Sequence, residues 1–302
     1  MTEIDELKKT FASRNLSDIT QKRWLYIAED FLQYLKDKNK TIKTADEKTI
    51  RDYLAAKNRV LSGNSMKTLY YILKSFFWIW RRRDVFDELK EDVPRDIEPE
   101  RPYFTVEETR KLIEVAKRRY IHREDFFGLR DLTMVMISAD TGTRRIQIQR
   151  LDRNNFTPDK KLKIMPARKG GTWTVRKLRS ETVLFLEKYL VERRQKLDIF
   201  ADKPEYPLFI DKSGKRISPE AMGWAFLQIR KDAGIIKPGA AFHGLRRSKT
   251  TRLARGGASL IEIVKALGWA ENSKEPHIYA QLDQSEVQEK ANKADELFDD
   301  EG

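Results

Sequence analysis

The sequence predicts a mainly α protein with a small antiparallel β-sheet, arranged as an N-terminal helical bundle followed by a larger α/β domain. Three observations carry this expectation. Apolar residues recur at helical spacing along most of the chain. Pro94, Pro99 and Pro102 punctuate a charged stretch, and proline lacks the amide hydrogen a helix needs. Beyond that stretch, three short segments are separated by Pro-Asp and Gly-Gly turns, which marks strands. At 302 residues the chain exceeds the usual size of one domain, and its 40% hydrophobic content is ample for folded cores.

In chain order, the first helix is read from Asp18 to about Asn39, where Trp24, Ile27, Ala28, Phe31, Leu32, Tyr34 and Leu35 fall on one face. A second begins near Thr44, with Thr44, Asp46 and Glu47 as capping chemistry, and runs to about Leu61 before the break at Ser62-Gly63-Asn64. A third, rich in aromatics, spans Ser65 to about Trp80 and ends in Arg81-Arg82-Arg83. These make a domain over residues 1–93, joined by a linker over 94–102 to a second domain over 103–285. Thr105 and Glu108 form a capping box at the start of that domain, ahead of Leu112, Ile113 and Val115. Strands are expected around Leu151 to Phe156, Leu162 to Pro166 and Thr172 to Leu178. Helices return at Glu181 to Lys196, Pro219 to Ala233, His243 to Arg255 and Leu260 to Leu267.

Composition narrows the function. Sixty lysines and arginines stand against 47 acids, a net charge of +13, which favours a polyanionic partner, nucleic acid first. The absence of cysteine excludes disulfides, thiolate metal sites and a cysteine nucleophile. Only His122, His243 and His277 are present, scattered and without an HExxH pattern, so no metal and no cofactor is expected. The N-terminus has no apolar signal core and runs such as LTMVMISA are too short to span a bilayer, so no membrane partner is expected and the protein should be intracellular.

Several positions can carry chemistry. Arg144 in Thr141-Gly142-Thr143-Arg144 follows an apolar run and a glycine turn, which can hold a guanidinium rigidly toward a phosphate. Lys169, before Gly170-Gly171, sits at the turn between the second and third expected strands. His243 and Arg246 open a helix three residues apart, on one face. Trp269 in Leu267-Gly268-Trp269 is followed ten residues later by Tyr279. Taken singly, each has an ordinary explanation: a surface salt bridge, a solvated lysine, a chance pair, a packed tyrosine. A phenol, with pKa near ~10, is a poor nucleophile unless nearby cations stabilise the developing charge. Two arginines and a lysine would supply that.

As an ordered set, Arg144, Lys169, His243, Arg246, Trp269 and Tyr279 resemble the tyrosine recombinase family, also called the phage integrase family. The connecting text agrees: TGTR, a hairpin lysine, Pro207-Leu208-Phe209-Ile210 with Ser213-Gly214, Ala233-Gly234-Ile235, HGLRRS and LGW. The likeness is strong over residues 103 to 285 and looser before them. It implies a tyrosine-recombinase catalytic domain preceded by a helical core-DNA-binding domain, clamped around duplex DNA, that acts as a site-specific DNA recombinase or integrase. DNA would be cut and rejoined through a 3′-phosphotyrosyl link without metal or ATP.

The resemblance also implies the roles. Arg144 and Arg246 would clamp the non-bridging phosphate oxygens. Lys169 would protonate the departing 5′ oxygen, and His243 would assist proton movement or hold the phosphate. Trp269 would donate an indole hydrogen bond, and Tyr279 would attack. Two positions depart from the family pattern: Gln147 stands where an acid is usual, and Arg247 replaces a common histidine. Implied partners are duplex DNA carrying a specific core site, with a dimer on one site and a homo-tetramer on two. The tail over 286–302, with Val287, Ala291, Ala294 and Phe298 on one helical face, is read as a protomer contact. An Xer-like recombinase or small integrase, cytoplasmic and nucleoid-associated and open to a viral or plasmid origin, is the implied type. A type IB topoisomerase-like activity and a non-catalytic DNA-binding protein of the same fold are the alternatives.

Overall fold

The structure is a computed structural model and describes residues 2–14, 16–61, 63–87, 89, 102–123, 125–166, 173–197, 203 and 205–269. The chain divides into two compact units, Met1–Pro99 and Glu100–Gly302. Apart from Pro102, the stretch expected as the linker over 94–102 lies outside the described residues.

The first unit contains α1 (Glu3–Ser13), α2 (Asp18–Asp37), α3 (Glu47–Asn58), α4 (Gly63–Ile79) and the single turn α5 (Asp84–Asp87). The sequence reading did not anticipate α1. Its inner face is short, with Leu7 and Phe11 buried and Ile4 packed beside them, and it starts with a capping box between Thr2 and Asp5. Phe11 sets its ring edge-on to Trp24 of α2 at 5.4 Å, and Trp24 meets Phe76 of α4 at 5.9 Å. Phe31 meets Tyr53 and Phe77 in the same manner, so aromatic edges join α2, α3 and α4.

Helix α3 starts later than expected. Asp46 is its cap, accepting from the Thr49 amide at 2.8 Å, while Thr44 closes the preceding turn by accepting from the Thr41 amide. Arg82 folds inward and donates to the carbonyls of Ile42 and Ala45, at 2.9 and 3.1 Å, so it ties the loop before α3. Arg83 lies over the exposed ring of Trp78 at 3.4 Å.

The second unit begins with α6 (Val106–Arg123), and the Thr105–Glu108 capping box is present with both reciprocal bonds, at 2.8 and 3.1 Å. Its centre is α7 (Phe126–Thr141), packed against α6, α9 (Ser180–Lys196) and α11 (His243–Arg255). Being covered on so many sides, α7 buries residues all round, and its apolar run LTMVMISA lacks a polar face for that reason. The remaining elements are α8 (Arg145–Gln149), β1 (Lys161–Ile164), β2 (Thr174–Lys177), α10 (Pro219–Asp232) and α12 (Leu260–Leu267). No helix among the described residues is long and apolar enough to cross a membrane.

The sheet has two antiparallel strands among the described residues, registered Lys161 to Lys177 and Ile164 to Thr174. The first of the three expected strands is instead a 3-10 turn, Arg153–Asn155, flanked by isolated bridges of Asp152 with Pro207 and of Phe156 with Leu162. Asn155 accepts from the Asp152 amide at 2.8 Å and curls the backbone out of extension. Arg216 then pins the bend through the Asp152 carboxylate and the Gln149 and Leu151 carbonyls. Leu208, Phe209 and Ile210 are buried beside it. Arg193 of α9, also fully buried, donates twice to the Pro207 carbonyl.

Candidate active site

The site grows from the end of α7. Gly142 terminates this helix with φ 63°, its amide donating to the Ser138 carbonyl at 2.8 Å. A β-carbon there would lie 2.6 Å from Leu267 and 3.2 Å from Lys249. Glycine is therefore required twice, for the left-handed backbone and for the close approach of α11 and α12. The Thr141 and Thr143 hydroxyls bond each other at 2.7 Å beneath the turn, and Arg144 follows as the residue capping α8.

Gln147 is buried and its side-chain oxygen accepts the Arg144 amide at 3.2 Å, while its side-chain nitrogen donates to the Met165 carbonyl at 2.7 Å. Arg145, next in sequence, packs on α10: its guanidinium occupies the space that a side chain at Gly223 would fill.

Helix α11 brings in His243 and Arg246. His243 opens the helix and is half-buried; Arg246, one turn on, is 1% exposed. Its guanidinium donates to the Gly142 carbonyl at 2.6 Å and to the Leu267 carbonyl at 3.0 Å, and lies 4.5 Å from the ring centre of Trp269. Two carbonyls and an indole face fix the plane of the fork. The helix itself is seated by Gly244, where a β-carbon would be 2.7 Å from Phe104, and by Ser248, which accepts the Phe104 amide at 2.8 Å. Arg247, noted for standing in place of a histidine, donates to the Pro102 carbonyl at 3.0 Å.

Helix α12 supplies the third wall. Ser259 and Glu262 cap its start, and Gly268, at φ 61°, ends it and delivers Trp269 to a buried position. Its left-handed backbone favours glycine, and a β-carbon there would sit close to Arg176 and Thr174 of β2, at 3.1 and 3.3 Å. Of the six residues singled out in the sequence, Arg144, His243, Arg246 and Trp269 lie on these adjoining segments. Lys169 and Tyr279, with the tail over 286–302, lie outside the described residues.

Four further cations gather behind the Gly142 turn: Arg176, Arg179, Lys249 and Arg252. Asp140, 8% exposed, accepts from the Arg179 side chain and from its amide, the latter at 3.0 Å. Arg252 donates to the Ala139 carbonyl at 2.6 Å. Burial holds Arg176 down to about 10 and pushes Lys249 and Arg252 below their ordinary values; neighbouring cations add to the effect at the last two. The motif reading missed this group. Half of it had a signal, a basic residue at every third position of α11 (His243, Arg246, Lys249, Arg252 and Arg255), whereas Arg176 and Arg179 come from a distant stretch of chain. Among the described residues no cluster of three or more histidines and carboxylates is placed to hold a metal.

The profile described as "Phage integrase family" matches residues 102–286. A curated relative, tyrosine recombinase XerC 2 of Ralstonia nicotianae (strain ATCC BAA-1114 / GMI1000), is 29% identical over 158 residues, which is 52% of this chain and 44% of that protein. The chain therefore matches less than half the length of that relative. Among solved structures, the XerA recombinase is 21% identical, with 97% of both chains covered and a TM-score of 0.52. The XerH site-specific recombinase, bound to palindromic difH substrate in a post-cleavage complex, is 19% identical, covers 95% of this chain and 84% of its own, and has a TM-score of 0.71. The Tn1549 transposon integrase, in complex with circular intermediate DNA, is 16% identical, with 96% and 99% covered and a TM-score of 0.71. At these identities the structures show a shared fold.

Proposed function

We propose, from the premise that this chain belongs to the phage integrase family, that it is a site-specific DNA recombinase working through a covalent phosphotyrosine. The observation that supports this best is the seating of Arg246. One guanidinium holds together the turn after α7, the end of α12 and the Trp269 ring, and so unites TGTR, HGLR and LGW at one place.

In this reading the Tyr279 oxygen attacks the scissile phosphorus while Arg144 and Arg246 grip the non-bridging oxygens and offset the charge that grows in the transition state. The bond from phosphorus to the 5′ oxygen breaks, and Lys169 delivers the proton that makes this oxygen a leaving hydroxyl. His243 handles the phenol proton or the phosphate. Trp269 donates its indole hydrogen and closes the site, but has no proton to shuttle. The 3′-phosphotyrosyl bond conserves the energy of the broken phosphodiester, and attack by a 5′ hydroxyl of a second strand restores DNA and free tyrosine.

The partner is duplex DNA with a core site, held by the N-terminal bundle (1–93) and the catalytic domain (103–285). A dimer occupies one site and four protomers two, with the tail over 286–302 as the protomer contact. This assembly would act in the cytoplasm, at the nucleoid.

The test is a nicked suicide duplex, drawn from DNA flanking the encoding gene and incubated with chelator, then run on a denaturing gel. A covalent adduct is expected with the wild-type chain and none with Tyr279→Phe. Tight binding without an adduct on any such duplex would reject catalysis in favour of a DNA-binding role.

A further inference from the structure

Both ends of the Gln147 amide are used. Gln147 is the third residue of α8, where a glutamine or glutamate ordinarily reaches back to the backbone before the helix, and its oxygen does so at Arg144. The other end leaves the helix. Its nitrogen bonds to the carbonyl of Met165, 18 residues on and the first residue past β1. A backbone donor on one side and a backbone acceptor on the other leave only one orientation of the amide that satisfies both. The residue is 7% exposed, so water is a poor substitute for either partner.

A carboxylate cannot reproduce this. Ionised, it could accept from Arg144, but it would set a negative charge against the Met165 carbonyl with no hydrogen to share. Met165 opens the connection to β2, and Lys169 stands four residues further along that connection.

We propose that Gln147 is a positioning residue that ties Arg144 to the entry of the β1–β2 connection, so that one amide registers the phosphate grip against the segment supplying the leaving-group proton. This rests on the roles given above to Arg144 and Lys169. It makes the acid expected from the family pattern the wrong residue for this chain.

Single-turnover adduct formation is measured on the nicked duplex for the wild type, Gln147→Glu and Gln147→Met, with either oxygen or sulfur at the 5′-bridging position of the scissile phosphate. A thiolate leaves without a proton, so the sulfur substrate bypasses the acid and still needs the arginines. Gln147→Glu is expected to react about 10- to 100-fold more slowly than wild type with oxygen, the scale of a small misplacement, and within a few-fold of it with sulfur. Gln147→Met, lacking both bonds, is expected to be slow with both. Wild-type speed of Gln147→Glu with oxygen would overturn the proposal. So would equal slowing with both substrates, whether it came from misfolding or from a lost phosphate grip. Failure of the wild type to form any adduct would strike the recombinase reading itself.

Discussion

Gly142 has two reasons to be glycine, and they can be measured together. Gly142→Ala forces an L side chain into the left-handed region and drives its β-carbon against Leu267. The backbone cost is roughly 1–2 kcal/mol and the overlap adds to it, so a loss of about 2 kcal/mol or more in urea unfolding is expected. At this scale the sequence was informative where identity alone decides. A glycine between two threonines announced a helix end. It was silent where a bond spans distance: that Gln147 reaches Met165, or that Arg82 turns back to Ile42, depends on chain paths that no local pattern encodes.

Among elements, α9 through α12 were legible within a residue or two from their apolar spacing, and α10 and α12 also carry their own start signals. Ser218 before Pro219 and Ser259 with Glu262 are examples. Helix α1 and the 3-10 turn at Arg153–Asn155 were not. The first has only a short apolar face of Ile4, Leu7 and Phe11, and the second is set by side-chain bonds that override a strand-like composition.

Packing of α9 on the buried run Leu208–Ile210 gives a pH signature. The fully buried Tyr189 ring lies tilted against Phe209 at 5.3 Å, its oxygen accepts the Ile210 amide at 3.3 Å, and burial pushes its phenol well above 10. The folded chain keeps this proton where the unfolded chain releases it, so the contribution is whole below about pH 10 and fades as pH rises beyond. In thermal melts from about pH 8 to pH 11, the gap between wild type and Tyr189→Phe should hold steady and then narrow above about pH 10.

For the whole molecule, the division into a bundle and a larger α/β unit was readable from the proline-rich charged stretch and the change of pattern after it. The two units have separate cores. One is centred on aromatics such as Phe31 and Phe76, the other on α7 residues such as Leu129 and Leu132. Charge is a property of the entire chain, and +13 over 302 residues predicts binding dominated by counterion release. A logarithmic plot of affinity for a duplex site against salt should fall steeply, by about 0.9 per phosphate neutralised, and an affinity indifferent to salt would remove the electrostatic footing of the DNA reading. Electrophoretic or fluorescence titration at several salt concentrations is sufficient to decide.

The seating of Arg246 also bears on how inactive proteins should be made. Because its guanidinium bridges the turn after α7 and the end of α12, replacing it withdraws buried donors from two carbonyls as well as a cation from the proposed site. An Arg246 variant that fails in an assay therefore confounds lost chemistry with a loosened scaffold. Under the proposed mechanism, a trapped complex for imaging is better built on Tyr279→Phe.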